Sequence, residues 1–491
     1  MTTRRASILV LLAALSGCTV GPDFAAPRPA VPDGFVGLSL AGAPGSVSSA
    51  VPGPVDVSWW WRTLDDPVLT SLIERAAVDN LIVQQAFARI RQARAGLRIA
   101  GAAGLPTVDA IGSADRSRSR SGASARTDNF FRAGFDAAWE IDVFGGVRRS
   151  LEAADENLLA SVEDRRAVQA SLAAEVATTY IDLRALQRRL ALARKNLALQ
   201  EDTASLTSER FEAGFVGSLD LANARALVAS TASRLPSLES DIRARIYALS
   251  VLVAAPPQTL LGELSADAPL PVPPRAVPVG LPSELLLRRP DIRRAEAALA
   301  AQNARIGVAV ADLYPRFSLT GSFGLQGPEV SSLGSLAQRY WSIGPSVRWN
   351  VFDAGRIRGN IELQRALLDE QLAGYKQAVL TALQEVEVSL VAFAQEQQRR
   401  LRLIDSVRAN TDAVSIANEL YIGGRTDFLN VLSAQGRLLD AEDALVQSEQ
   451  GISANLVSLY KALGGGWNPG DAATPIRDPA PVSATPGPAP R

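Results

Sequence analysis

The side chain best suited to covalent chemistry in this chain is its only cysteine, Cys18. A single thiol can form neither an intramolecular disulfide nor a clustered thiolate site, but it can accept a lipid. The chain also contains no histidine, which removes the commonest general base and metal ligand. Because it has no glycine-rich phosphate loop either, the residue types argue against an enzyme. We therefore expect no catalytic residue, no metal and no cofactor beyond a covalent lipid on Cys18.

The N-terminus predicts export and a membrane anchor. Arg4 and Arg5 precede an apolar run that is too short to span a bilayer, as in a secretory signal peptide, here residues 1–17. Residues 15–18 resemble a bacterial lipobox, so that Cys18 would become the acylated first residue of the mature protein. The alternative is an ordinary signal peptide with a chance cysteine. Residues 18–57, rich in Pro, Gly, Ala and Ser, predict an extended arm that gives the anchor reach.

Composition and charge narrow the class of protein. With 491 residues, of which 47% are hydrophobic and 21% charged, the chain is long enough for several core-forming units. Its formal net charge of -1 lacks the excess of basic residues that indicates binding to a nucleic acid. The alternating arginines and serines of residues 116–121 could suggest RNA binding, but in an exported protein we interpret them as part of a solvated loop, residues 116–128. We assign this loop no partner.

Two very long helices organise the chain. Residues 147–212 contain neither proline nor glycine and predict one helix of about 100 Å at 1.5 Å per residue. Residues 356–422 predict a second. In both, apolar side chains spaced alternately by four and three form a seam that would face a partner helix. The seam residues are Leu172, Val176, Thr179, Leu183, Leu186, Leu190, Ala193 and Leu197 in the first helix and Val379, Leu383, Val386, Leu390 and Phe393 in the second. We expect Gln397 and Arg400 to break the second seam.

Four short segments alternate between apolar and polar residues, which is the period of a strand with one wet face. They are residues 131–141, 317–325, 341–351 and, more weakly, 107–115. Aromatic residues near the ends of apolar segments of this length are typical of a transmembrane barrel. A soluble, half-buried sheet would produce the same alternation. The predicted export and acylation favour the membrane.

The two halves of the chain repeat each other. The glycine turn at Gly214 and the segment 219–221 recur at one constant offset as the turn at Gly424 and the segment 429–431. Each half contains a short helix, a strand hairpin, a long helix, a glycine turn and a return helix. The predicted divisions are the first repeat 58–264, with strand hairpin 107–142 and helix hairpin 147–254, a proline-rich linker 265–282, the second repeat 283–463, with strand hairpin 315–352 and helix hairpin 356–463, and a disordered tail 464–491.

The predicted fold class is therefore mainly α with a β part, built as two internal repeats of long coiled helical hairpins with four strands. Four strands cannot close a barrel, because the smallest closed barrels have eight. Copies of the chain must associate if the strands cross a membrane. A lipid-anchored periplasmic coiled-coil scaffold would explain the helices and the lipid, but not strand pairs at the same places in both halves.

Several motifs resemble one protein family, the outer membrane factors, which are the TolC-like channels of tripartite efflux pumps. The chain is most similar to their acylated, NodT-type branch, and the resemblance covers residues 18–463. The matching motifs are Gly21-Pro22-Asp23-Phe24, Trp59-Trp60-Trp61 leading to Asp66-Pro67, residues 281–292 with Arg288-Arg289-Pro290-Asp291-Ile292, Val351-Phe352-Asp353 with Gly355-Arg356, and the Gly424 turn with Leu429-Asn430-Val431-Leu432.

The resemblance implies a homotrimer in which four strands per chain build a twelve-stranded transmembrane β-barrel, continued by an α-helical tunnel into the periplasm. It implies the outer membrane of a Gram-negative bacterium and passive conduction of substrates delivered by a pump. The implied partners are outer membrane lipid, a periplasmic adaptor (membrane fusion) protein and an inner-membrane resistance-nodulation-division transporter, with no nucleic acid.

In that family the helix-hairpin tips close the tunnel and meet the adaptor. The candidate gate and docking residues here are Gly214, Phe215, Gly217, Ser218, Asp220, Gly424, Arg425, Thr426 and Asp427. Gly214 and Gly424 suit the left-handed position that ends a helix. Ser218, Thr426 and Asp427 can cap the helix that follows. The alternative is that these residues are helix caps alone, and Arg425 with Asp427 is the favoured gate pair.

Overall fold

The structure is a computed structural model that describes residues 19–40, 46–54, 56–121 and 124–468. Cys18, the signal peptide and residues 469–491 of the predicted tail lie outside the described residues. The predicted disorder is wrong for the start of the tail, because residues 464–467 are buried. The chain divides into two compact units. Unit 1 comprises Met1–Phe35, Leu81–Val168 and Leu281–Glu387, and unit 2 comprises Val36–Asn80, Gln169–Gly280 and Val388–Arg491. Each unit draws segments from both sequence repeats.

Helices make up most of the described chain. They are α1 (Pro67–Asp79), α2 (Leu81–Ala102), α3 (Gly146–Glu212), α4 (Ser218–Leu252), α5 (Leu261–Leu264), α6 (Pro282–Arg288), α7 (Pro290–Ala311), α8 (Arg356–Ile422) and α9 (Phe428–Ala462). The long helices α3 and α8 have 67 residues each, against predicted bounds of 147–212 and 356–422. At 1.5 Å per residue each is about 100 Å long.

The predicted seams are the buried stripes of the long helices. Every predicted seam residue is buried or half-buried, with Val176, Leu183 and Val386 among the most enclosed. The expected break at Gln397 is wrong, because this side chain is only 2% exposed and its Oε1 accepts a hydrogen bond from the backbone N–H of Val47 at 3.2 Å. The seam thus continues through a polar side chain whose amide oxygen is paired with a backbone donor.

Four strands form one antiparallel sheet in unit 1, in the order β2-β3-β5-β6. They are β2 (Thr107–Ser121), β3 (Ser124–Ile141), β5 (Arg316–Gly327) and β6 (Arg339–Arg348). The predicted solvated loop 116–128 is wrong, since β2 and β3 pair without interruption as far as Ser121 opposite Ser124. The alternation of arginine and serine has the two-residue period of a strand, and the polar composition hid it.

Register assigns every strand residue to a face, because directly opposed residues of antiparallel strands share one face. Phe135 lies opposite Phe323, and Phe323 lies opposite Trp341, which makes an aromatic row across three strands. These side chains are 56%, 57% and 69% exposed. The opposite face is polar, and there the Ser318 and Ser346 hydroxyls are hydrogen-bonded at 2.8 Å. The sheet therefore has an apolar face and a polar face, named the outer and the inner face below.

One tyrosine ties three strands together on the polar face. Tyr340 covers Gly324 and Gly134, and a Cβ added at Gly134 would lie 2.8 Å from the Tyr340 hydroxyl. Arg132 donates from Nε to that hydroxyl at 2.7 Å, and its guanidinium lies 4.4 Å from the ring centroid. Gly134 and Gly324 therefore make room for the ring of Tyr340.

The first described residues of the arm are docked in unit 1, so they do not give the anchor free reach. Arg149 is buried and donates to Asp23 Oδ1 at 2.6 Å and to the carbonyl of Val20 at 3.2 Å. Gly21 packs directly on Gly307, where a Cβ would lie 2.5 Å from the Cα of Gly307. Burial lowers the pKa of Arg149 and its bonds to Asp23 and Glu152 raise it, with a net rise. The chain is thus held from Val20, two residues after Cys18.

A second sheet, in unit 2, was not predicted. The strand β1 (Ser49–Val51) of the arm pairs in parallel with β4 (Ala276–Pro278) of the proline-rich linker. The pairing fixes both extended segments, although strands of three residues carry too little periodicity to be recognised. The arm and linker are therefore structured where they meet.

The most specific sequence motif, residues 281–292, forms two helix starts in unit 1. Pro282 and Pro290 each occupy the first turn of α6 and α7, where a missing N–H costs nothing. Arg289 is buried and forms a fork to both carboxylate oxygens of Asp291, at 3.0 and 2.6 Å, and reaches Glu385 at 2.6 Å. Burial raises the pKa of Asp291 and the Arg289 bonds lower it, with a net lowering. The motif therefore has a structural role, since it starts α6 and α7 and pairs the start of α7 with Glu385 of α8.

Asp66 caps α1 in unit 2 as predicted. Its Oδ1 accepts from the backbone N–H groups of Val68 and Leu69, both at 2.9 Å. Its Oδ2 accepts from the Tyr180 hydroxyl at 2.9 Å, and burial raises the pKa of Tyr180 to about 12. Trp60 beside this cap is buried and stacks on Tyr460 at 5.3 Å between ring centroids. Trp60 and Trp61 of the tryptophan motif are therefore core, whereas Trp59 is 38% exposed.

Candidate functional site

The first helix-hairpin tip is a glycine-ended turn. Helix α3 ends at Glu212 and Gly214 follows with φ of +76°. The N–H of Gly214 donates to the carbonyl of Phe211 at 2.9 Å, and that of Phe215 donates to the carbonyl of Arg210 at 2.8 Å. This pair of bonds is the Schellman pattern, which requires a left-handed residue where glycine is favoured. Helix α4 then begins at Ser218.

The second tip repeats this geometry. Gly424 has φ of +66°, and its N–H donates to the carbonyl of Tyr421 at 3.0 Å. The N–H of Arg425 donates to the carbonyl of Leu420 at 2.8 Å. Phe428 begins α9. The repeat seen in the sequence is therefore a repeat of backbone hydrogen bonds.

The expected side-chain caps are absent from both tips. Gly217 occupies the N-cap position before α4, and Ser218 is already the first helical residue. Asp427 occupies the N-cap position of α9, but its side chain makes no capping hydrogen bond. The Thr426 hydroxyl instead accepts from Asn430 Nδ2 at 2.7 Å. Capping therefore does not account for these polar side chains.

The candidate tip residues are open to solvent, except that Asp220 and Thr426 are half-buried. Phe215 is 76% exposed. Within the described part of the chain, neither Arg425 nor Asp427 forms an ion pair. The two tips differ in kind, because the first offers an aromatic side chain and the second, at the equivalent position, a cation. Both leave surface for contacts outside the protomer.

Arg210 joins the two tips inside unit 2, and the sequence reasoning missed it. Its Nη1 donates to the carbonyls of Tyr421 and Ile422, at 2.7 and 3.2 Å, in the last turn of α8. Its guanidinium lies 4.7 Å from the centroid of the Tyr421 ring. An arginine in the last turn of a long helix is a signal for carbonyl capping, but only the structure identifies which helix it caps.

Beneath this arginine lies a small buried cluster of Ala224, Tyr421, Phe428 and Val431. Tyr421 and Phe428 meet edge to face at 5.5 Å between ring centroids. Val216 of the first tip packs against the cluster. The tips are thus held to each other by apolar contacts as well as by Arg210.

Charged side chains link α3, α8 and α9 further along the helices of unit 2. Glu449 accepts from Arg400 Nε and Nη2 at 3.1 and 3.0 Å and from Arg188 Nη1 at 2.5 Å. Arg189 forms a fork to both oxygens of Asp443, at 2.5 and 3.2 Å. These contacts involve half-exposed groups, so they fix the alignment of the helices more than they add stability.

Comparison with known proteins places the chain in a family. A family model described as "Outer membrane efflux protein" matches residues 72–255 and 281–465. Nodulation protein T of Rhizobium leguminosarum bv. viciae is 33% identical over 98% of this chain and 96% of that protein. The antibiotic efflux pump outer membrane protein ArpC of Pseudomonas putida is 33% identical over 95% of this chain and 96% of that protein. The outer-membrane channel OprN has a solved structure that is 37% identical, with a TM-score of 0.84 over 92% of this chain and all of that one.

These matches confirm the resemblance inferred from the motifs, and they confirm a mainly helical fold with strands. They favour an efflux channel of the outer membrane over a coiled-coil scaffold, because proteins that match nearly the full chain include an efflux pump outer membrane protein and an outer-membrane channel. The chain belongs to the outer membrane efflux protein family.

Proposed function

We propose that three copies of this outer membrane efflux protein form one channel, in which twelve strands close a barrel and the long helices form a periplasmic tunnel. The observation that carries the proposal is the open sheet. Its edge strands β2 and β6 each leave one row of backbone groups unpaired, while its outer face is apolar. In lipid every backbone N–H and C=O must be paired, so only closure with other copies makes such a sheet stable.

The helices also leave apolar surface for other copies. Helix α8 contains an 18-residue stretch with a mean hydropathy of 1.3, which by length and composition could cross a membrane. Only 28% of this stretch is buried within the chain. Large side chains on its exposed side include Leu363, Leu380 and Val388. Exposed apolar side chains on a helix of this length are suited to association with other copies of the chain. Packing of neighbouring protomers along the helices would cover it and enclose the tunnel.

We propose that the helix-hairpin tips close the tunnel and bind the periplasmic adaptor. Among the residues that the structure describes, the exposed side chains of Phe215, Arg425 and Asp427 have no partners that account for them. The partners we propose are a periplasmic adaptor protein and an inner-membrane transporter of the resistance-nodulation-division type. The relative ArpC is named as the outer membrane protein of an antibiotic efflux pump. The channel itself has no catalytic task, since it conducts what the transporter delivers.

We also propose that Cys18 carries the lipid anchor. The docked residues Val20, Gly21 and Asp23 hold the chain beside the end of β3, because Val20 donates to the carbonyl of Phe144 at 3.1 Å. Acyl chains on Cys18 would therefore enter the membrane next to the strands. We expect the mature protein to begin at Cys18 with acyl chains attached, as measured by mass spectrometry of its N-terminal peptide. An unmodified Cys18 would refute the anchor.

The channel proposal is tested by electrical recording. We expect the purified wild-type protein, reconstituted in a planar lipid bilayer, to give discrete ion-conducting steps, because a closed twelve-stranded barrel encloses water. Chemical cross-linking of the same sample should show trimers. A lipid-anchored scaffold would bind the bilayer through its acyl chains and conduct nothing, so membrane binding without conductance would overturn the channel.

A further inference from the structure

Three arginines near the hairpin of β2 and β3 point to the outer face of the sheet. Arg116, Arg118 and Arg120 alternate with serines in β2, so all three share one face. Register fixes which face this is. Ala114 lies opposite Phe131 of the apolar face, and Arg116, Arg118 and Arg120 are two, four and six residues beyond Ala114. The serines between them are on the polar inner face.

These arginines continue the apolar face beyond its last apolar row. On β3 the apolar face runs from Ile141 to Phe131, about 26 Å for a tilted strand, which matches an apolar band of about 25 Å. Arg116 lies opposite Asn129, the first polar residue past Phe131 on that face. It is therefore about 5 Å beyond the band, and Arg120 is about 10 Å further. Arg116 is thus at the height of the lipid head groups, and the long side chains of Arg118 and Arg120 can extend back toward them.

The charge on this face is of one sign. The acidic residues of the four strands are all on the inner face, at Asp109, Asp115, Asp128, Asp136 and Glu140. The outer face carries Arg116, Arg118 and Arg120, with Arg339 of β6 at the same end, opposite Leu325. All four are exposed, and none forms an ion pair within the described part of the chain. The residues opposite the three arginines of β2 are Asn129, Thr127 and Ala125, which cannot neutralise them.

We propose that Arg116, Arg118 and Arg120 bind the phosphate groups of the glycolipid in the outer leaflet of the membrane. The inference rests on the proposed barrel, because the face must look toward lipid. Guanidinium groups bind phosphate oxygens through two parallel hydrogen bonds, and arginine suits this better than lysine. The spacing of about 7 Å between successive arginines lets one ladder contact the phosphates of one or two neighbouring lipids. The hairpin thereby gains a lateral contact with the leaflet.

The test measures lipid binding by the detergent-solubilised, full-length protein. The probes are lipid A with both phosphates and the same glycolipid with its phosphates removed, and native mass spectrometry reports the fraction of the oligomer that carries lipid. We expect the wild-type protein to prefer the phosphorylated probe. Combined replacement of Arg116→Ser, Arg118→Ser and Arg120→Ser should weaken that binding by about threefold to a hundredfold, as expected for three exposed charge contacts.

Two control variants separate position from charge. Exchanging each arginine with the serine that follows it keeps composition and net charge but moves the cations to the inner face, and it should weaken binding as much as the triple replacement. Arg126→Ser removes an inner-face arginine that pairs with Asp128 at 2.6 Å, and it should leave binding unchanged. If the exchanged variant binds as tightly as the wild type, general charge attraction explains the binding and the proposal fails.

Further outcomes separate this site from the channel itself. Equal binding of the two lipid probes by the wild type would overturn the proposal, and so would displacement of the lipid by millimolar inorganic phosphate, which would indicate a site for soluble anions. The triple variant should conduct in a planar bilayer as the wild type does. If the wild type conducts but shows no phosphate preference, the head-group site is wrong and the channel stands. If the wild type does not conduct, the barrel is wrong whatever the lipid result.

Discussion

An arginine at position 343 should prevent stable insertion of the sheet. Ile343 is on the apolar face opposite Gly321, and Gly321 lies opposite Ala137. This row is near the middle of the apolar band that runs from Ile141 to Phe131. A guanidinium near the centre of a bilayer costs about 2 to 4 kcal/mol per site in a transmembrane barrel. We expect Ile343→Arg to lower the free energy of unfolding in lipid vesicles by that amount for each protomer, measured by urea titration.

The neighbouring residue provides the control. Ser342 is on the inner face, where its hydroxyl is hydrogen-bonded to that of Ser322 at 2.7 Å. Ser342→Arg adds the same side chain to the water-filled side and removes one exposed hydrogen bond, which costs about 1 kcal/mol or less. Equal damage from the two variants would mean that both faces meet similar surroundings, as in a soluble sheet. The difference between the two variants, more than either value, measures which face meets lipid.

Periodicity predicted the elements that are long enough to show it. The seams of α3 and α8 extend over many turns, so single polar residues such as Thr179 did not hide them. The face of β3 was read correctly from six alternating residues. The two-residue alternation was overlooked where the polar composition of a segment was given more weight than its period. Arg116–Ser121 alternates as strictly as β3, but its polarity suggested a loop.

Contacts between distant segments could not be predicted. The site at the tips needs Arg210 to meet the end of α8, which depends on how two helix hairpins pack and not on any local pattern. The docking of Asp23 on Arg149 and the pairing of Ser49–Val51 with the linker have the same character. Local rules also overestimated capping, because Asp427 occupies the N-cap position without making the bond. A sequence predicts where a cap can form, and the surroundings decide whether it does.

Neutralising the charged residues of the second tip should open the isolated channel. Arg425 and Asp427 are exposed, and within the described part of the chain their side chains have no ion-pair partner, so they remain available for pairing between protomers. One exposed pair is worth about 0.2 to 1 kcal/mol, and three equivalent pairs would favour the closed state by about 0.6 to 3 kcal/mol. We expect Arg425→Ala or Asp427→Ala to raise the ratio of open to closed channels by about threefold to a hundredfold in low salt.

Salt and a matched variant identify the cause. The Debye length falls from about 10 Å at 0.1 M to about 3 Å at 1 M, so high salt should open the wild type toward the level of the tip variants. Arg408→Ala removes an exposed arginine that pairs with Asp405 on the same helix, away from the tip, and should leave the open fraction unchanged. If both tip variants conduct as the wild type does at every salt concentration, charge does not hold the channel shut. Closure would then rest on helix packing around Tyr421 and Phe428, which salt does not weaken.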